Sequence, residues 1–374
     1  MTTDAGPASA TTSARGPWAG GAWAAIDRAA ANLLPAYFAL VMATGIVSLA
    51  ASIQGFALVA RGMFWLNLVF FAALWGLSLL RIARHRDRLI ADVNDHNRSV
   101  GFFTSVPAAC VLGTQALLIA DMPGLAWSLW VLGAALWAIV TYTVFTALTV
   151  KPVKPALADG LNGGWLVSIV ATQAVSVLAS QFSAHAAGAG AGEHGTDALL
   201  FIALVMWLGG AMLYVWIISL IFYRYTFFPF KPSDLSPPYW INMGAMAIST
   251  LAGATLLLSG KHSPLIESLA PFIKGATLLF WATATWWIPM LLILGVWRHI
   301  VNRFPLRYDP LYWGAVFPLG MYSVATARMV SAMNLPYLRS LPPVFCYVAL
   351  AAWAAALLGL AHRIVKGAPP PRGT

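Results

Sequence analysis

The sequence predicts an all-α integral membrane protein with ten transmembrane helices, arranged as five helical hairpins with quasi-five-fold symmetry. Hydrophobic residues make up 60% of the chain and charged residues 9%, whereas soluble domains have roughly 25% charged residues. Apolar runs of about 20 residues recur along the whole length, and each can cross a bilayer core of about 30 Å. A similar aromatic motif begins every second run, which indicates an internal repeat.

The ten spans follow from these apolar runs in chain order. They are predicted at 34–53, 63–82, 100–120, 125–148, 163–184, 198–223, 239–259, 272–297, 312–333 and 342–364. Aromatic residues mark the starts of the odd-numbered spans, at Phe38, Phe103, Trp165, Trp240 and Trp313. We therefore expect the odd helices to form an inner ring around a pathway and the even helices to form an outer ring that faces lipid.

The chain outside the spans is short. Residues 1–30 are rich in Ala, Ser, Thr and Gly and are expected to form a disordered cytoplasmic tail. Residues 31–366 form the predicted membrane domain, and residues 367–374 form a second short cytoplasmic tail. The first tail lacks the apolar core and cleavage site of a signal peptide, so the first span is expected to remain in the mature protein.

Basic residues set the predicted orientation. With the N-terminus in the cytoplasm, 17 of the 22 Lys and Arg residues lie on the cytoplasmic side, as the positive-inside rule requires. Both termini are therefore predicted to be cytoplasmic in a multi-pass protein of the cell (inner) membrane. The basic loop between Arg81 and Arg98 is interpreted as an anchor near anionic lipid. The formal charge of +10 thus reflects topology and does not indicate a nucleic-acid partner.

Tryptophans and small polar residues divide the spans into two kinds. Most tryptophans lie in even spans, and their bulky indoles suit contact with lipid or with other subunits. The odd spans have hydroxyls and helix breakers near mid-depth, where a broken helix needs a protein partner or a wet cavity. The candidates for pore lining or helix kinks are Thr44, Gly45, Ser105, Pro107, Thr172, Ser249 and Pro318. Close helix packing is the alternative explanation for small residues at such positions.

The ionisable residues disfavour several classes of function. The central stretches of the predicted spans contain no Asp or Glu, which disfavours a cation channel. Neither Cys110 nor Cys346 has metal-like spacing, and no histidine or carboxylate cluster indicates an enzyme, a metal site or a cofactor. Arg328 is the one charge well inside an odd span. It snorkels outward, pairs with backbone carbonyls, or attracts anions at the outer mouth.

Two motifs resemble a known family. The stretch from Asn32 to Gly45, Asn-Leu-Leu-Pro-Ala-Tyr-Phe-Ala-Leu-Val-Met-Ala-Thr-Gly, resembles the first helix of the tellurite-resistance/C4-dicarboxylate transporter family. That family, also described as the voltage-dependent anion channel family, includes relatives of the plant slow-type anion channels. The stretch from Tyr312 to Leu319 resembles its ninth helix, with the motif aromatic-Trp-x-x-x-Phe-Pro. The resemblance covers about residues 30–365.

The resemblance implies a homotrimer in which each protomer has a pore between five kinked inner helices. In the family, the phenylalanine of the ninth-helix motif plugs the pore, and that role falls on Phe317 here. Packing of Phe317 against helix 8 is the alternative. The implied function is an anion channel or facilitative transporter for small inorganic anions or C4-dicarboxylates. The second possibility is a coupled secondary transporter or exporter with a specific substrate, such as malate, sulfite or tellurite.

Overall fold

The computed structural model describes residues 21–190, 192–261, 263–306 and 308–366. In this part of the chain every regular element is helical and no β-strand is present. Nine of these helices are long and apolar enough to cross a membrane, which confirms the predicted all-α membrane class. The predicted span at 312–333 is also a helix, although its polar residues, including Arg328, keep it out of that set.

Ten long helices, labelled α1 to α10, coincide with the ten predicted spans. They are α1 (Ala39–Ile53), α2 (Ala57–Arg84), α3 (Ser105–Leu118), α4 (Pro123–Val150), α5 (Val167–Gly188), α6 (Glu193–Phe227), α7 (Ile241–Ser259), α8 (Pro264–Val296), α9 (Trp313–Met333) and α10 (Leu341–Val365). Among the even helices, α2, α6 and α8 are clearly longer than predicted, because they continue past the apolar stretch into segments with polar or charged residues. An apolar window cannot detect such extensions.

Odd and even helices differ in burial. Between 78% and 94% of the residues are buried in the apolar windows of α1, α3, α5 and α7, but only 17% to 33% in those of α2, α4, α6, α8 and α10. α9 belongs with the first group, because most of its residues, including Phe317 and Tyr322, are buried. The odd helices are therefore the inner helices of the protein, and the even helices are the outer ones.

The five inner helices form a closed ring. α1 packs against α3, α3 against α5, α5 against α7 and α7 against α9, and α9 packs against α1. Each outer helix packs mainly against the inner helix that precedes it in the chain, and it also contacts the following inner helix. The hairpin repeat in the sequence is therefore the repeat of this two-layered architecture.

Each inner helix is preceded by a 3-10 turn that contains the aromatic motif. The turns are Pro35–Phe38, Ser99–Thr104, Gly163–Leu166, Pro237–Trp240 and Pro310–Tyr312. Proline begins three of them, and it suits a first helical position because its missing N–H would have no partner within the helix. The five turns contact one another in the same cyclic order as the inner helices. The N-terminal ends of the inner helices therefore meet at one closed end of the ring.

The expected disorder of the N-terminal tail is wrong for its last ten residues. Residues Ala22–Ala31 form a helix that packs against α2, and His85 Nε2 lies 3.2 Å from Asp27 Oδ1. The segment is rich in alanine, the residue with the highest helix propensity. Residues 1–20 and the predicted tail at 367–374 lie outside the described residues.

The basic loop after α2 is folded against the protein. The guanidinium of Arg81 donates to Leu33 O at 2.6 Å and pairs with Asp92 at 2.6 Å. Arg98 pairs with the same carboxylate at 2.6 Å, and Asp92 lies on the short helix Arg86–Val93. The interpretation of this loop as a lipid anchor is therefore wrong for Arg81, whose side chain is buried beside Asp92. It stays a prediction for Arg98, whose side chain is 39% exposed.

Tryptophans of the outer helices do not all point outward. Trp65 and Trp216 are 57% and 59% exposed, whereas Trp207 and Trp287 are buried. The prediction that these indoles face lipid or other subunits is thus wrong for Trp207 and Trp287. Both have a hydrogen-bond acceptor inside the protein: Trp207 donates to Ser249 O and Trp287 to Tyr214 OH. A buried indole needs such an acceptor.

Candidate functional site

A cavity of about 190 Å³ lies between the C-terminal halves of the five inner helices. All five helices contribute to its wall, so it lies on the axis of the inner ring. Its lining residues are Ile46, Leu49, Ser52, Ile53, Cys110, Val111, Thr114, Leu118, Ala174, Val177, Gln181, Ile248, Leu251, Met321, Val324 and Arg328. None of these described lining residues is acidic.

The cavity changes character with depth. Ile46, Ile248 and Met321 line it near the middle of their helices, and they make its inner part apolar. Ser52 and Arg328 lie about two helical turns closer to the C-terminal ends of α1 and α9. A solute that enters from the C-terminal mouth therefore meets polar groups first and an apolar stretch beyond them.

Phe317 lies one helical turn beyond the inner end of this cavity. Met321, Val324 and Arg328 line the cavity, and Phe317 shares their face of α9 because positions 317, 321, 324 and 328 are spaced by three or four residues. The side chain is 1% exposed. It is therefore on the axial side of α9, between the cavity and the closed N-terminal end.

The opposite face of α9 contacts α8. Tyr322 OH lies 2.8 Å from Thr285 Oγ1, and Trp281 Nε1 donates to Thr326 Oγ1 at 3.1 Å. Positions 322 and 326 lie roughly opposite position 317 on a helix of 3.6 residues per turn. The alternative in which Phe317 packs against α8 is thus disfavoured by the orientation of α9.

Two glycines pack beside Pro318 of α9. It lies inside the helix and so removes one backbone hydrogen bond. A Cβ on Gly244 of α7 would lie 2.7 Å from Pro318 Cγ, and a Cβ on Gly320 would lie 3.0 Å from Ile46 Cγ2 of α1. The glycines let both neighbouring helices approach α9 closely near Pro318. Pro318 is therefore a packing residue, and it does not line the cavity.

Several hydroxyls that the sequence assigned to the pathway point away from it. Trp353 Nε1 donates to Thr44 Oγ1 at 3.0 Å, and Trp137 Nε1 donates to Thr172 Oγ1 at 2.9 Å. Ser249 donates to the backbone carbonyl one turn earlier, at 2.8 Å. The interpretation of these three residues as pore lining is wrong for the cavity described here. The hydroxyls of Thr44 and Thr172 accept hydrogen bonds from outer helices, and that of Ser249 bonds to the backbone of its own helix.

The other kink candidates also have packing roles. A Cβ on Gly45 would lie 2.5 Å from Val111 Cγ1, so this glycine lets α1 and α3 pack closely. Ser105 donates to Phe102 O at 2.8 Å, at the junction between the 3-10 turn and α3. Pro107 is the third residue of α3, close to the junction with the 3-10 turn Ser99–Thr104, and it does not line the cavity.

The closed end of the ring is packed backbone to backbone. A Cβ on Gly101 would lie 2.7 Å from Ala36 N, and a Cβ on Gly163 would lie 2.5 Å from Pro238 O. Only glycine allows these approaches, because real Cβ atoms do not come so close to backbone atoms. The 3-10 turns therefore leave little room for a side chain between them.

Arginines at the ends of the outer helices hold this closed end together. Arg81 of α2 donates to the carbonyl of Leu33, next to the first turn. Arg224 of α6 donates to Tyr239 OH in the turn before α7, at 2.7 Å. Arg298, just after α8, donates to Leu235 O. At three places around the ring, an arginine near the end of an outer helix therefore bonds to a segment in or next to a 3-10 turn.

Tyr308 lies in the segment that precedes α9. Its hydroxyl accepts a hydrogen bond from Trp313 Nε1 at 3.1 Å, and its side chain fills the space beside Gly359 of α10. Burial raises the pKa of Tyr308 to about 12. The hydroxyl therefore stays neutral near pH 7 and adds no negative charge to this end of the protein.

Arg328 is the one charged residue among the described residues that line the cavity. It makes no hydrogen bond and no ion pair with the part of the chain that the structure describes. The alternative in which Arg328 pairs with backbone carbonyls is therefore wrong. Its guanidinium adds an unbalanced positive charge to the mouth of the cavity.

Sequence reasoning missed three polar residues at this mouth. Ser52, Thr114 and Gln181 line the cavity beside Arg328, and none of them stood out by residue type. A helical period would have found two of them, since Ser52 lies three residues after Leu49 and Thr114 lies four residues after Cys110 on cavity-facing sides. Their identification still depends on knowing which face of each helix is axial.

The sequence matches the voltage-dependent anion channel family, SLAC1, over residues 32–361. The chain belongs to this family. It is 40% identical over 152 residues to an uncharacterized membrane protein of Mycobacterium tuberculosis, a match that covers 41% of this chain and 77% of that protein. It is 28% identical over 309 residues to an uncharacterized transporter of Methanocaldococcus jannaschii, covering 80% and 84% of the two chains. A sulfite efflux pump of Arthroderma benhamiae is 24% identical over 360 residues, covering 88% and 89%.

Membership in the voltage-dependent anion channel family identifies the chain as an anion channel or transporter of the membrane. It also confirms the family resemblance that the first and ninth helices indicated. The cavity on the axis of the inner ring agrees with such a function, because it is lined by all five inner helices and contains one unbalanced positive charge.

Proposed function

We propose that the protein is an anion channel or facilitative transporter that moves small inorganic anions or C4-dicarboxylates across the cell membrane. The anion passes along the axis of the inner ring of each protomer, and Phe317 acts as the gate. One observation carries the proposal: the cavity ends one helical turn from Phe317, on the face of α9 that points to the ring axis.

The physical basis of the gate is exclusion of water and ions. A phenyl group in a narrow apolar passage blocks an ion by its volume, and it makes the passage unfavourable to wet. Met321 and Ile248 extend the apolar stretch toward the cavity. A movement of the Phe317 side chain would therefore be needed before a hydrated anion can pass.

Both termini are assigned to the cytoplasm in this proposal. The assignment rests on the 17 of 22 Lys and Arg residues that the positive-inside rule places there. The cavity then opens to the outside and the closed ring of 3-10 turns faces the cytoplasm. We propose a homotrimer with one pathway per protomer, an assembly that the family resemblance implies.

A coupled exporter is the second candidate function. The observation in its favour is the similarity to the sulfite efflux pump, which extends over 88% of this chain. A coupled exporter would show saturable flux that depends on a gradient of a second ion. A channel would show unitary currents and weak selectivity among anions.

Ion-substitution electrophysiology in planar bilayers, paired with flux into proteoliposomes, separates these candidates. The purified protein would be tested with chloride, sulfite and malate under matched gradients. We expect currents that reverse near the anion equilibrium potential. Absence of both current and flux for all three anions would contradict the proposal, and saturable flux without current would favour the exporter.

A further inference from the structure

Polar side chains with no protein partner converge on one place in the inner ring. Ser52 on α1, Thr114 on α3, Gln181 on α5 and Arg328 on α9 all line the cavity. None of the four side chains makes a hydrogen bond to another described residue. The Oε1 atom of Gln181 is buried without a partner. Polar groups inside a membrane domain are costly when they are left unsatisfied.

Most other hydroxyls of these helices form hydrogen bonds within the protein. The side chains in the cavity differ from them in this respect. Ser48 donates to Ala60 O at 2.8 Å, and Ser176 donates to Ala203 O at 2.7 Å. These groups lie on the same helices as Ser52 and Gln181 but face the outer layer. Other buried side-chain atoms without a partner occur elsewhere in the described residues, such as Gln173 Oε1 and Asn242 Oδ1. Ser52, Thr114, Gln181 and Arg328 differ from them because the four side chains line one cavity.

We propose that this mouth is a binding site for a small oxyanion, with Arg328 as its charged ligand and Gln181, Thr114 and Ser52 as neutral hydrogen-bonding groups. The inference rests on the proposed anion transport for its role in the protein, and it adds the substrate class that the mouth selects. A bound anion would balance the charge of Arg328 and satisfy its N–H groups, which no described residue does.

The chemistry of arginine favours an oxyanion over a halide. A guanidinium presents parallel N–H donors in a planar fork, and this fork matches two oxygens on one carbon or sulfur atom. Carboxylate and sulfite groups both have that arrangement, whereas chloride offers a single centre. The site should therefore prefer an anion with two adjacent oxygens.

The size of the cavity limits the ligand. Its volume of about 190 Å³ is below the roughly 300 to 1,000 Å³ of pockets that hold drug-sized ligands. The walls below the polar groups are apolar, as Leu49, Leu251 and Val324 show. A sulfite ion or a short dicarboxylate has the chemistry and the size that these walls allow.

Binding to purified full-length protein tests the site separately from transport. Isothermal titration calorimetry at constant ionic strength would measure the Kd for sulfite, malate and chloride. We expect Arg328→Gln to raise the Kd of the preferred oxyanion by about tenfold or more, as the loss of charge-assisted hydrogen bonds predicts. Arg328→Lys keeps the charge but loses the fork, so it should also weaken binding several-fold. The oxyanion that binds more tightly identifies the carboxylate or the sulfite group as the natural ligand chemistry.

Arg339→Gln is the matched control, because Arg339 is an exposed arginine after α9 at the same end of the protein and does not line the cavity. The Kd of the Arg339→Gln variant for the oxyanion should stay within about twofold of the wild-type value, since a screened charge outside the site has little effect. Equal losses in Arg328→Gln and Arg339→Gln would overturn the proposal, and so would wild-type affinity in Arg328→Lys or chloride binding as tight as oxyanion binding.

A flux measurement on the same preparations distinguishes failure of the site from failure of the proposed function. If none of the anions binds with a loss specific to Arg328 variants, but the protein still conducts anions, the site is wrong and the function stands. If the specific binding is found but no anion crosses the membrane, the function is wrong and the site stands. A monodisperse elution profile and an unchanged unfolding temperature show that each variant is folded.

Discussion

At their N-terminal ends the five inner helices pack backbone to backbone, whereas at their C-terminal ends they enclose a cavity of about 190 Å³. At the first end Asp92 forms ion pairs with Arg81 and Arg98. At the second end the four polar side chains that line the cavity, among them Arg328, form no hydrogen bond with a described residue. The inner helices are therefore closely packed at one end, and at the other end they line a cavity with polar side chains that form no hydrogen bond with the described residues.

This difference indicates where sequence changes should affect stability and where they should affect ligands. Substitutions at the N-terminal ends disrupt buried pairs or close backbone contacts, so they should lower stability. Substitutions at the C-terminal mouth replace side chains that form no hydrogen bond with a described residue, so they should spare the fold. Phe317 lies between these two regions and should control passage.

Arg81→Ala should give the largest loss of stability. The substitution leaves Asp92 buried with only Arg98 as its ion-pair partner and removes the bond to Leu33 O. Breaking a buried pair by removing one partner costs about 3–5 kcal/mol. Thermal unfolding in detergent should show a marked drop in the midpoint.

Arg328→Gln provides the comparison for this prediction at the other end of the ring. Because Arg328 has no ion pair and no hydrogen bond with the described residues, its replacement breaks no bond. Removing an unpaired charge from the membrane domain should leave the free energy of unfolding unchanged or raise it. A loss as large as that of Arg81→Ala would mean that the mouth also has a structural role.

Gly163→Ala and Gly188→Ala compare the two ends of one inner helix. A Cβ at position 163 would lie 2.5 Å from Pro238 O, whereas a Cβ at position 188 meets no atom within 4 Å. The first substitution should destabilise the protein by about 1–3 kcal/mol through overpacking. The second should be neutral or slightly stabilising, because alanine has the higher helix propensity. Similar unfolding midpoints for the two variants would show that the closed end tolerates a side chain there.

Trp353→Phe should give the smallest loss of stability among the substitutions that break a described contact. It removes the indole N–H that donates to Thr44 Oγ1 but keeps most of the aromatic volume. A single hydrogen bond of this type contributes about 0.5–1.5 kcal/mol. Trp286→Phe is the control, because Trp286 is exposed on the outer surface. A larger loss for Trp286→Phe would show that its exposed face is buried in an assembly of several subunits.

The layered fold could be predicted from the sequence because its repeat has a local signature. Aromatic residues at the start of every second span mark the 3-10 turns, and the contrast between odd and even helices follows from composition along the chain. The helix Ala22–Ala31 was missed because an alanine-rich segment resembles low-complexity sequence. Composition measures polarity and does not measure the packing that stabilises such a short helix.

The lining of the cavity could be predicted only in part. Thr44 and Thr172 have the residue type and depth expected of pore lining, but their hydroxyls accept bonds from tryptophans of outer helices. The partner of Thr44 lies 309 residues away in the sequence, so no local pattern indicates it. Arg328 was recognised because a charge in an apolar span is rare, whereas Thr114 and Gln181 became candidates only when the axial faces were known.

The central claim is that anions cross along the inner ring and that Phe317 blocks their passage. Phe317→Ala removes a phenyl group from a packed bundle, and the space it leaves is too large to close fully. We expect its anion conductance to exceed that of the wild type strongly, with anion-over-cation selectivity retained and with Phe317→Leu intermediate. Pro318→Ala should instead alter expression or gating, because it restores a helix hydrogen bond.

The decisive measurement is the current–voltage relation of the wild type and Phe317→Ala in planar bilayers, at equal amounts of folded protein per bilayer. A several-fold larger anion current through Phe317→Ala is the expected result. Equal currents in the two proteins would contradict the claim, because the barrier would then lie elsewhere along the chain.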